Sequence, residues 1–248
     1  MPLSVLAASA VVCLAPIAPS VCDAIAIEKV TDFPGGFAAN RGIVTTRDGE
    51  MLARVATGGD SYARGVVDLD RRVGHVGQGG RLELAGRFRF DAGGGYVSVM
   101  RADDFAARPD DAIQLGVERQ AGDGRLHIAA RRYDGSWTGF DVAAPLVPVA
   151  GREYALRLVA EIAPEPGLGA RTALWVDGRE VAATTQPNVL SGRAYTKARL
   201  GVVAVAGTPA MVAMRELSVR AEVGVLPVLG LVEPGPPFAV RQPIFSAS

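Results

Sequence analysis

The chain has 248 residues, of which 49% are apolar and 21% are charged, so it is long enough to bury a substantial core in one large domain. Its 26 basic and 26 acidic side chains give zero formal net charge, which excludes the long-range positive field that gathers nucleic acid or anionic membranes. The only histidines are His75 and His127, so zinc or copper chemistry is not expected.

The N-terminal segment differs from the rest of the chain because Met1–Val21 carries no charged residue. Such a segment predicts a secretory signal or a membrane anchor. It lacks the basic residue that begins a typical signal, and its three prolines disfavour a spanning helix. We expect residues 1–24 to be a signal peptide removed near Ala24, with a retained anchor or a structured strand as the alternatives. Both cysteines, Cys13 and Cys22, lie in this segment, so cleavage would leave a thiol-free domain suited to an oxidising compartment.

The body of the chain alternates apolar and polar residues. In Leu82–Phe90 (LELAGRFRF) the leucines and phenylalanines share one parity, while the glutamate and the arginines share the other. The segments around Ile113, Leu126 and Tyr154 repeat this pattern. Alternation with a period of two predicts strands with one buried face and one solvated face, so we expect an all-β protein in which helix is a minor element.

Turn signals separate the predicted strands. The motif Ala121–Gly124 (AGDG) precedes the strand near Leu126, and Asp134-Gly135 follows that strand. In Ala173–Thr184 (ALWVDGREVAAT) two runs of similar length flank Asp177-Gly178. Asp-Gly tolerates the positive φ angles of a type I′ turn, which matches the twist of two antiparallel strands. We therefore predict a tight hairpin there, with Leu174 and Val176 facing away from Trp175.

Evenly spaced strands with polar outer faces predict two antiparallel sheets packed face to face. We assign this sandwich domain to residues 29–222. The C-terminal segment 223–248 contains several prolines and alternates poorly. It is an apolar tail that packs along the domain, links it to another unit or docks onto a partner.

Three motifs resemble the concanavalin A-like jelly rolls, the group that includes lectins, laminin-G domains and glucanases. TDFPGGF (Thr31–Phe37) looks like their opening strand, which pairs with the last one. LWVDGREV (Leu174–Val181) is similar to a hairpin common in laminin-G-like domains, and Ala198–Ala221 resembles their closing pair of strands. The resemblance implies a two-sheet jelly-roll sandwich whose face often binds glycans. Fold similarity alone does not transmit an activity.

Hydrolases of this group carry a Glu-x-Asp-x-x-Glu strand, and this sequence has no such motif, so we assign no catalytic residues. The densest acids lie in Arg101–Ala112 (RADDFAARPDDA), which we interpret as a solvated loop. Oxygen donors at close spacing suit calcium, and calcium is the one cofactor we consider. Its ligands would be Asp103, Asp104, Asp110 and Asp111.

Aromatic and arginine side chains of outward parity are the candidates for a ligand-binding face, since sugars stack on rings and accept hydrogen bonds from planar donors. In LHIAARRY, His127, Arg131 and Tyr133 share one parity, and Trp137 follows the next turn. For each of the four, an ordinary packing or surface role is the alternative.

The sequence therefore favours an exported, non-catalytic β-sandwich module, secreted, periplasmic or on the cell surface, that binds a glycan or a surface protein. We expect no nucleic-acid partner and no membrane contact beyond an N-terminal anchor, and the oligomeric state stays open. The first alternative is a carbohydrate-active enzyme, a glycoside hydrolase or lyase with an atypical site. The second is a structural or assembly protein that docks through its apolar termini.

Overall fold

The computed structural model describes residues 22–56, 61–69, 76–92, 95–108, 111–133, 135–162, 171–185 and 194–224. Residues 1–21 of the predicted leader (1–24) and residues 225–248 of the predicted tail (223–248) lie outside these ranges. None of the helices in the described part has the length and hydropathy to cross a bilayer.

The described residues form mostly β-strands, with one turn of 3-10 helix at Val30–Asp32. The strands are β1 (Cys22–Ile27), β2 (Phe37–Asn40), β3 (Gly42–Arg47), β4 (Glu50–Val55), β5 (Tyr62–Asp68), β6 (Arg81–Ala92), β7 (Tyr96–Arg108), β8 (Asp111–Arg119), β9 (Leu126–Tyr133), β10 (Trp137–Ala143), β11 (Glu153–Glu161), β12 (Arg171–Val176), β13 (Arg179–Thr184), β14 (Lys197–Ala206) and β15 (Ala210–Glu222).

Within the described ranges these strands form two sheets, and neighbouring strands pair antiparallel. The eight-stranded sheet has the order β13-β12-β11-β6-β15-β4-β3, with β1 paired to β15. The seven-stranded sheet has the order β10-β9-β8-β7-β14-β5-β2. Inward side chains of both sheets share one apolar core. The all-β, two-sheet antiparallel jelly-roll sandwich expected from the sequence is confirmed.

The alternation predicted the buried faces correctly. On β6, Leu82, Leu84, Phe88 and Phe90 are each 1% exposed or less. The arginines of the other parity lie outside and form ion pairs with carboxylates. Arg87 pairs with Glu153, at 3.2 Å.

The hairpin predicted at Asp177-Gly178 is also confirmed. It joins β12 to β13, and both turn residues have positive φ, 49° and 78°, as a type I′ turn requires. The Asp177 carboxylate accepts a hydrogen bond from the backbone N–H of Ala155, at 2.9 Å, which ties the turn to β11. Leu174 and Val176 are buried, and Trp175 lies on the opposite face.

The start of the chain differs from the family pattern. TDFPGGF forms the 3-10 turn and a bend that leads into β2, and β2 pairs with β5 in the seven-stranded sheet. The strand that pairs with the last one is β1, which lies N-terminal to Lys29. The aromatic ring of Phe33 instead fills the space above Gly65, where a Cβ atom would lie 2.2 Å from the ring.

The end of the domain differs as well. β14 and β15 follow one another as predicted, but they belong to different sheets. β14 pairs with β5 and β7, so three strands distant in sequence become neighbours in the seven-stranded sheet.

Candidate functional site

The outward face of the seven-stranded sheet carries a continuous set of polar side chains, which we call the polar face. These side chains have the opposite parity to the core residues of the same strands. The polar face comprises Arg64 on β5, Lys197 and Arg199 on β14, Arg101 and Asp103 on β7, Gln114 and Glu118 on β8, His127 and Arg131 on β9, and Asp141 on β10.

The strand register lines up one row of this face across five strands. Arg199 on β14 is opposite Arg101 on β7, which is opposite Gly116 on β8. Gly116 is opposite Ala129 on β9, which is opposite Asp141 on β10. Four strand spacings of about 4.8 Å make the row about 19 Å long. The row therefore runs from two arginines, over two small residues, to a carboxylate.

A buried carboxylate organises the β7–β14 part of the face. Asp103 is fully buried and accepts two hydrogen bonds from Arg199, at 2.5 Å from Nε and 3.0 Å from Nη2. Arg101 Nε donates to the same carboxylate, at 3.1 Å. Both guanidinium groups are nearly buried, with exposed side-chain fractions of 11% and 12%. A bidentate pair of this kind fixes the plane of the Arg199 guanidinium.

Arg64 adds a third guanidinium to this cluster. Its Nη1 donates to the backbone oxygen of Val203, at 2.8 Å, and its guanidinium carbon lies 4.0 Å from the centroid of the Tyr62 ring. Its buried Nε has no hydrogen-bond partner among the described residues. Burial, and then the charges of Arg199 and Arg101, lower the pKa of Arg64 to about 10. We call Arg64, Arg101 and Arg199 the arginine cluster.

The β8–β9 part of the face is built around a second buried carboxylate, that of Glu118, which is 1% exposed. Arg131 donates to both of its oxygens, at 2.9 and 2.8 Å. The Tyr96 hydroxyl donates to it at 2.7 Å, and the Gln120 amide does so at 3.1 Å. Burial, the charge of Glu118 and the hydrogen bond from Tyr96 to Glu118 raise the pKa of Tyr96, so Tyr96 stays protonated.

His127 lies between two aspartates. Its Nδ1 contacts Asp141 on β10, and its Nε2 lies 3.1 Å from Asp123 in the β8–β9 turn. Burial by itself would lower the pKa of His127, but the hydrogen bonds and charges of Asp141 and Asp123 outweigh it and raise that pKa. The ring therefore links the turn to the edge strand β10.

The structure brings two of the four sequence-predicted binding residues into this network, His127 and Arg131. Tyr133 follows them at the same parity on β9, half-buried. Trp137 is opposite Tyr133 in the β9–β10 register, but its side chain is outside the described part of the structure. A binding role for these four residues stays a prediction.

The interpretation of Arg101–Ala112 as a solvated loop is wrong, because β7 extends through Arg108 and β8 begins at Asp111. Asp103 is committed to arginines, and Asp104 accepts a hydrogen bond from Thr196 Oγ1, at 3.1 Å. Asp110 and the side chain of Asp111 lie outside the described residues. In the described ranges, no group of three or more His, Cys, Asp or Glu side chains could hold a metal ion. The calcium site stays a prediction.

Sequence reasoning missed the arginine cluster, Gln114 and Glu118 as site residues. Each of them is a polar residue of outward parity inside an apolar strand, and that signal was visible. What the sequence does not give is the strand order. Because β14 is inserted between β5 and β7, arginines separated by 37 to 135 positions come to lie side by side.

A cavity of about 470 Å³ lies on the eight-stranded sheet, where β1 replaces β4 beside β15. It is lined by Ala26–Glu28, Asp48, Gly49 and Arg215–Ser218. Two of its lining charges form ion pairs on the surface: Arg215 with Glu153, at 2.7 Å, and Glu216 with Arg87, at 2.8 Å. It offers no spare cation and no buried carboxylate comparable to those of the polar face.

The fold resembles several solved structures. It matches alginate lyase Aly36B with a TM-score of 0.57 and 13% identity, over 79% of this chain and 96% of that one. An Aly36B mutant in complex with alginate tetrasaccharide matches with a TM-score of 0.56, 13% identity and the same coverage. Endo-beta-1,4-glucuronan lyase from the fungus Trichoderma reesei matches with a TM-score of 0.52 and 16% identity, over 74% and 89%. No protein-family model and no curated protein matches this sequence.

At identities this low, the comparisons show a shared fold alone. The leading prediction of a non-catalytic module is nevertheless wrong, because these fold relatives are polysaccharide lyases and so favour the alternative of a carbohydrate-active enzyme. The error has a physical source. We looked for acids spaced along one strand, whereas the charged groups of the polar face come from several strands.

Proposed function

We propose that this protein is a polysaccharide lyase that cleaves an acidic, uronate-containing polysaccharide on the polar face. The observation that carries the proposal is the arginine cluster, in which Arg101 and Arg199 share the buried carboxylate of Asp103 and Arg64 adds a third positive charge beside them. The excess positive charge and the unpartnered Arg64 Nε favour an anion bound between these side chains. A uronate carboxylate is planar and matches the donor fork of an arginine.

The chemistry of elimination needs such a site. A lyase removes the C5 proton of a uronate, the released electron pair forms the C4–C5 double bond, and the C4–O4 bond breaks. The C5 proton is acidic only if the adjacent carboxylate is neutralised, because negative charge builds up on it as the proton leaves. Positive groups already held in place for that charge are usually the largest source of catalysis.

Proton transfer requires a base and an acid within reach of the bound sugar. Tyr62 lies directly beneath the Arg64 guanidinium, so its hydroxyl is the group we propose for moving protons beside the arginine cluster. Tyr96 is committed to Glu118 and stays protonated. His127 is held between two aspartates and is suited to structure rather than to proton abstraction.

The same comparisons support two coarser proposals. A glycan is the proposed partner, since a fold relative was solved with alginate tetrasaccharide bound. The sandwich is proposed to belong with the concanavalin A-like jelly rolls. Export to where polysaccharides occur is a separate proposal, supported by the apolar N-terminal segment.

The test is ultraviolet absorbance of the C4–C5 double bond after incubation with a panel of polyuronates. Wild-type protein is expected to produce it, and Arg64→Gln is expected to lower kcat/KM by about 10²–10³, the range for removing one donor aimed at developing charge. The matched control is Arg157→Gln, which removes an arginine paired with Glu83 on the eight-stranded sheet and should leave the rate unchanged. Unaltered turnover in Arg64→Gln, or no unsaturated product from any polyuronate, would contradict the proposal.

Tyr62→Phe tests the proton-transfer group separately. It keeps the ring beneath Arg64 and removes only the hydroxyl, so we expect kcat to fall by about 10²–10⁴ while the affinity for uronate oligosaccharides changes little. If kcat is retained, Tyr62 does not transfer the proton.

A further inference from the structure

We propose that the substrate carries its uronates next to uncharged sugars, rather than a carboxylate on every sugar. This inference rests on the lyase function proposed above and concerns the whole length of the polar face. The evidence is the distribution of charge along that face, which changes from one end to the other.

The half formed by β5, β14 and β7, which we call the basic half, has spare positive charge. On the polar face its described cationic side chains are Arg64, Arg101, Lys197 and Arg199, and its described carboxylates there are Asp68 and Asp103. Asp104 has the inward parity of β7. Asp68 is engaged with Lys197 at 3.8 Å, and Asp103 serves two arginines. The four cations exceed the two carboxylates by two, so a substrate carboxylate is attracted here.

The other half is formed by β8, β9, β10 and the β8–β9 turn, and we call it the acidic half. It has no excess positive charge. On the polar face and in the turn, its described carboxylates are Glu118, Asp123 and Asp141, against the arginines Arg125 and Arg131. Arg119 and Arg132 have the inward parity of β8 and β9. Arg131 already serves both oxygens of Glu118 and lies 3.5 Å from Asp141. Protonation of His127 brings the half only to neutrality.

The polar face is too long for one sugar to cover, since the row from Arg199 to Asp141 spans about 19 Å. A chain lying along it places other sugars over the acidic half. A second carboxylate there would lose water and meet Glu118 and Asp141 without a free cation, which costs free energy. An uncharged sugar would instead donate its hydroxyls to the exposed carboxylates of Asp141 and Asp123.

The test uses polyglucuronate and the same polymer with half of its carboxylates reduced to primary alcohols. The expected result is a higher kcat/KM per remaining uronate on the half-reduced polymer. Asp141→Asn and Asp123→Asn should each raise kcat/KM on polyglucuronate by about threefold at low salt, the factor for removing one like charge across a hydrated gap. The gain should shrink at high salt. If one of the two aspartate variants folds poorly, the other alone carries the test.

The control is Glu180→Gln, which removes a carboxylate paired with Arg171 on the other sheet and should change neither rate. Equal or lower kcat/KM per uronate on the half-reduced polymer, or no gain in the aspartate variants, would overturn the inference while leaving the lyase function intact. If neither polymer yields unsaturated ends, the lyase function fails instead. Calorimetric affinities for the same two polymers then decide the charge preference: weaker binding of the half-reduced polymer would overturn it, and tighter binding would support it.

Discussion

Asp103 holds the arginine cluster together, so its neutralisation should weaken the fold markedly. In Asp103→Asn the shape of the side chain is kept while its negative charge is lost. The guanidinium groups of Arg101 and Arg199, both almost buried, would lose the charge of this carboxylate and face an amide that offers donors of its own.

The magnitude follows from burial. Removing one member of a buried ion pair costs about 3–5 kcal/mol, because the remaining charge is left uncompensated. For a domain of this size 1 kcal/mol corresponds to about 2–4 °C in Tm, so Tm should fall by about 6–20 °C. The matched control is Asp68→Asn, whose carboxylate lies 3.8 Å from Lys197 and is partly exposed. A pair of that kind is worth about 0–1 kcal/mol.

Thermal unfolding followed by circular dichroism measures both variants under the same buffer conditions. Added sulfate or glucuronate should recover more Tm in Asp103→Asn than in wild type, since an anion then binds among the freed arginines. A Tm for Asp103→Asn no lower than that of Asp68→Asn would refute the idea that one buried carboxylate supports the cluster.

Two further predictions concern stability. Because the pKa of His127 is raised in the folded protein, protonated His127 stabilises the fold fully below the unfolded pKa of about 6.5, and this stabilisation is lost as pH rises through the folded pKa. The Tm difference between wild type and His127→Gln should therefore be larger at about pH 5.5 than at about pH 9. A Tm difference that grows with pH would contradict this prediction. Gly178→Ala places a Cβ at φ 78° with no atom within 4 Å, so it should lower the free energy of unfolding by about 1–2 kcal/mol through backbone strain alone. The control Gly122→Ala, in equally open space without positive φ, should change stability by less than about 0.5 kcal/mol. Equal Tm values for the two variants would show that the turn tolerates any residue.

The strands were predictable because each carries its own alternation. Leu82 to Phe90 shows its buried parity without reference to any other segment, and Asp177-Gly178 shows its turn through the φ angles those residues tolerate. Such local signals gave the elements and the two-layer architecture. They did not give the pairing of β1 with β15 or of β2 with β5, because pairing partners are distant in sequence.

The candidate site was predictable only where it is local. His127 and Arg131 lie on one strand, so their shared parity was visible. Arg64, Arg101 and Arg199 lie on three strands that meet only through the insertion of β14 between β5 and β7. Asp103 looked like part of an acidic loop because its bidentate partner, Arg199, lies 96 positions away in the sequence.

The product of the reaction tests the central claim most directly. Mass spectrometry of oligosaccharides released from a uronate-containing polymer should show a new non-reducing end that lacks one water relative to a hydrolytic end, and the same product should be strongly reduced in Arg64→Gln. Hydrolytic ends would contradict elimination, and an unsaturated product formed equally by Arg64→Gln would contradict its location on the polar face.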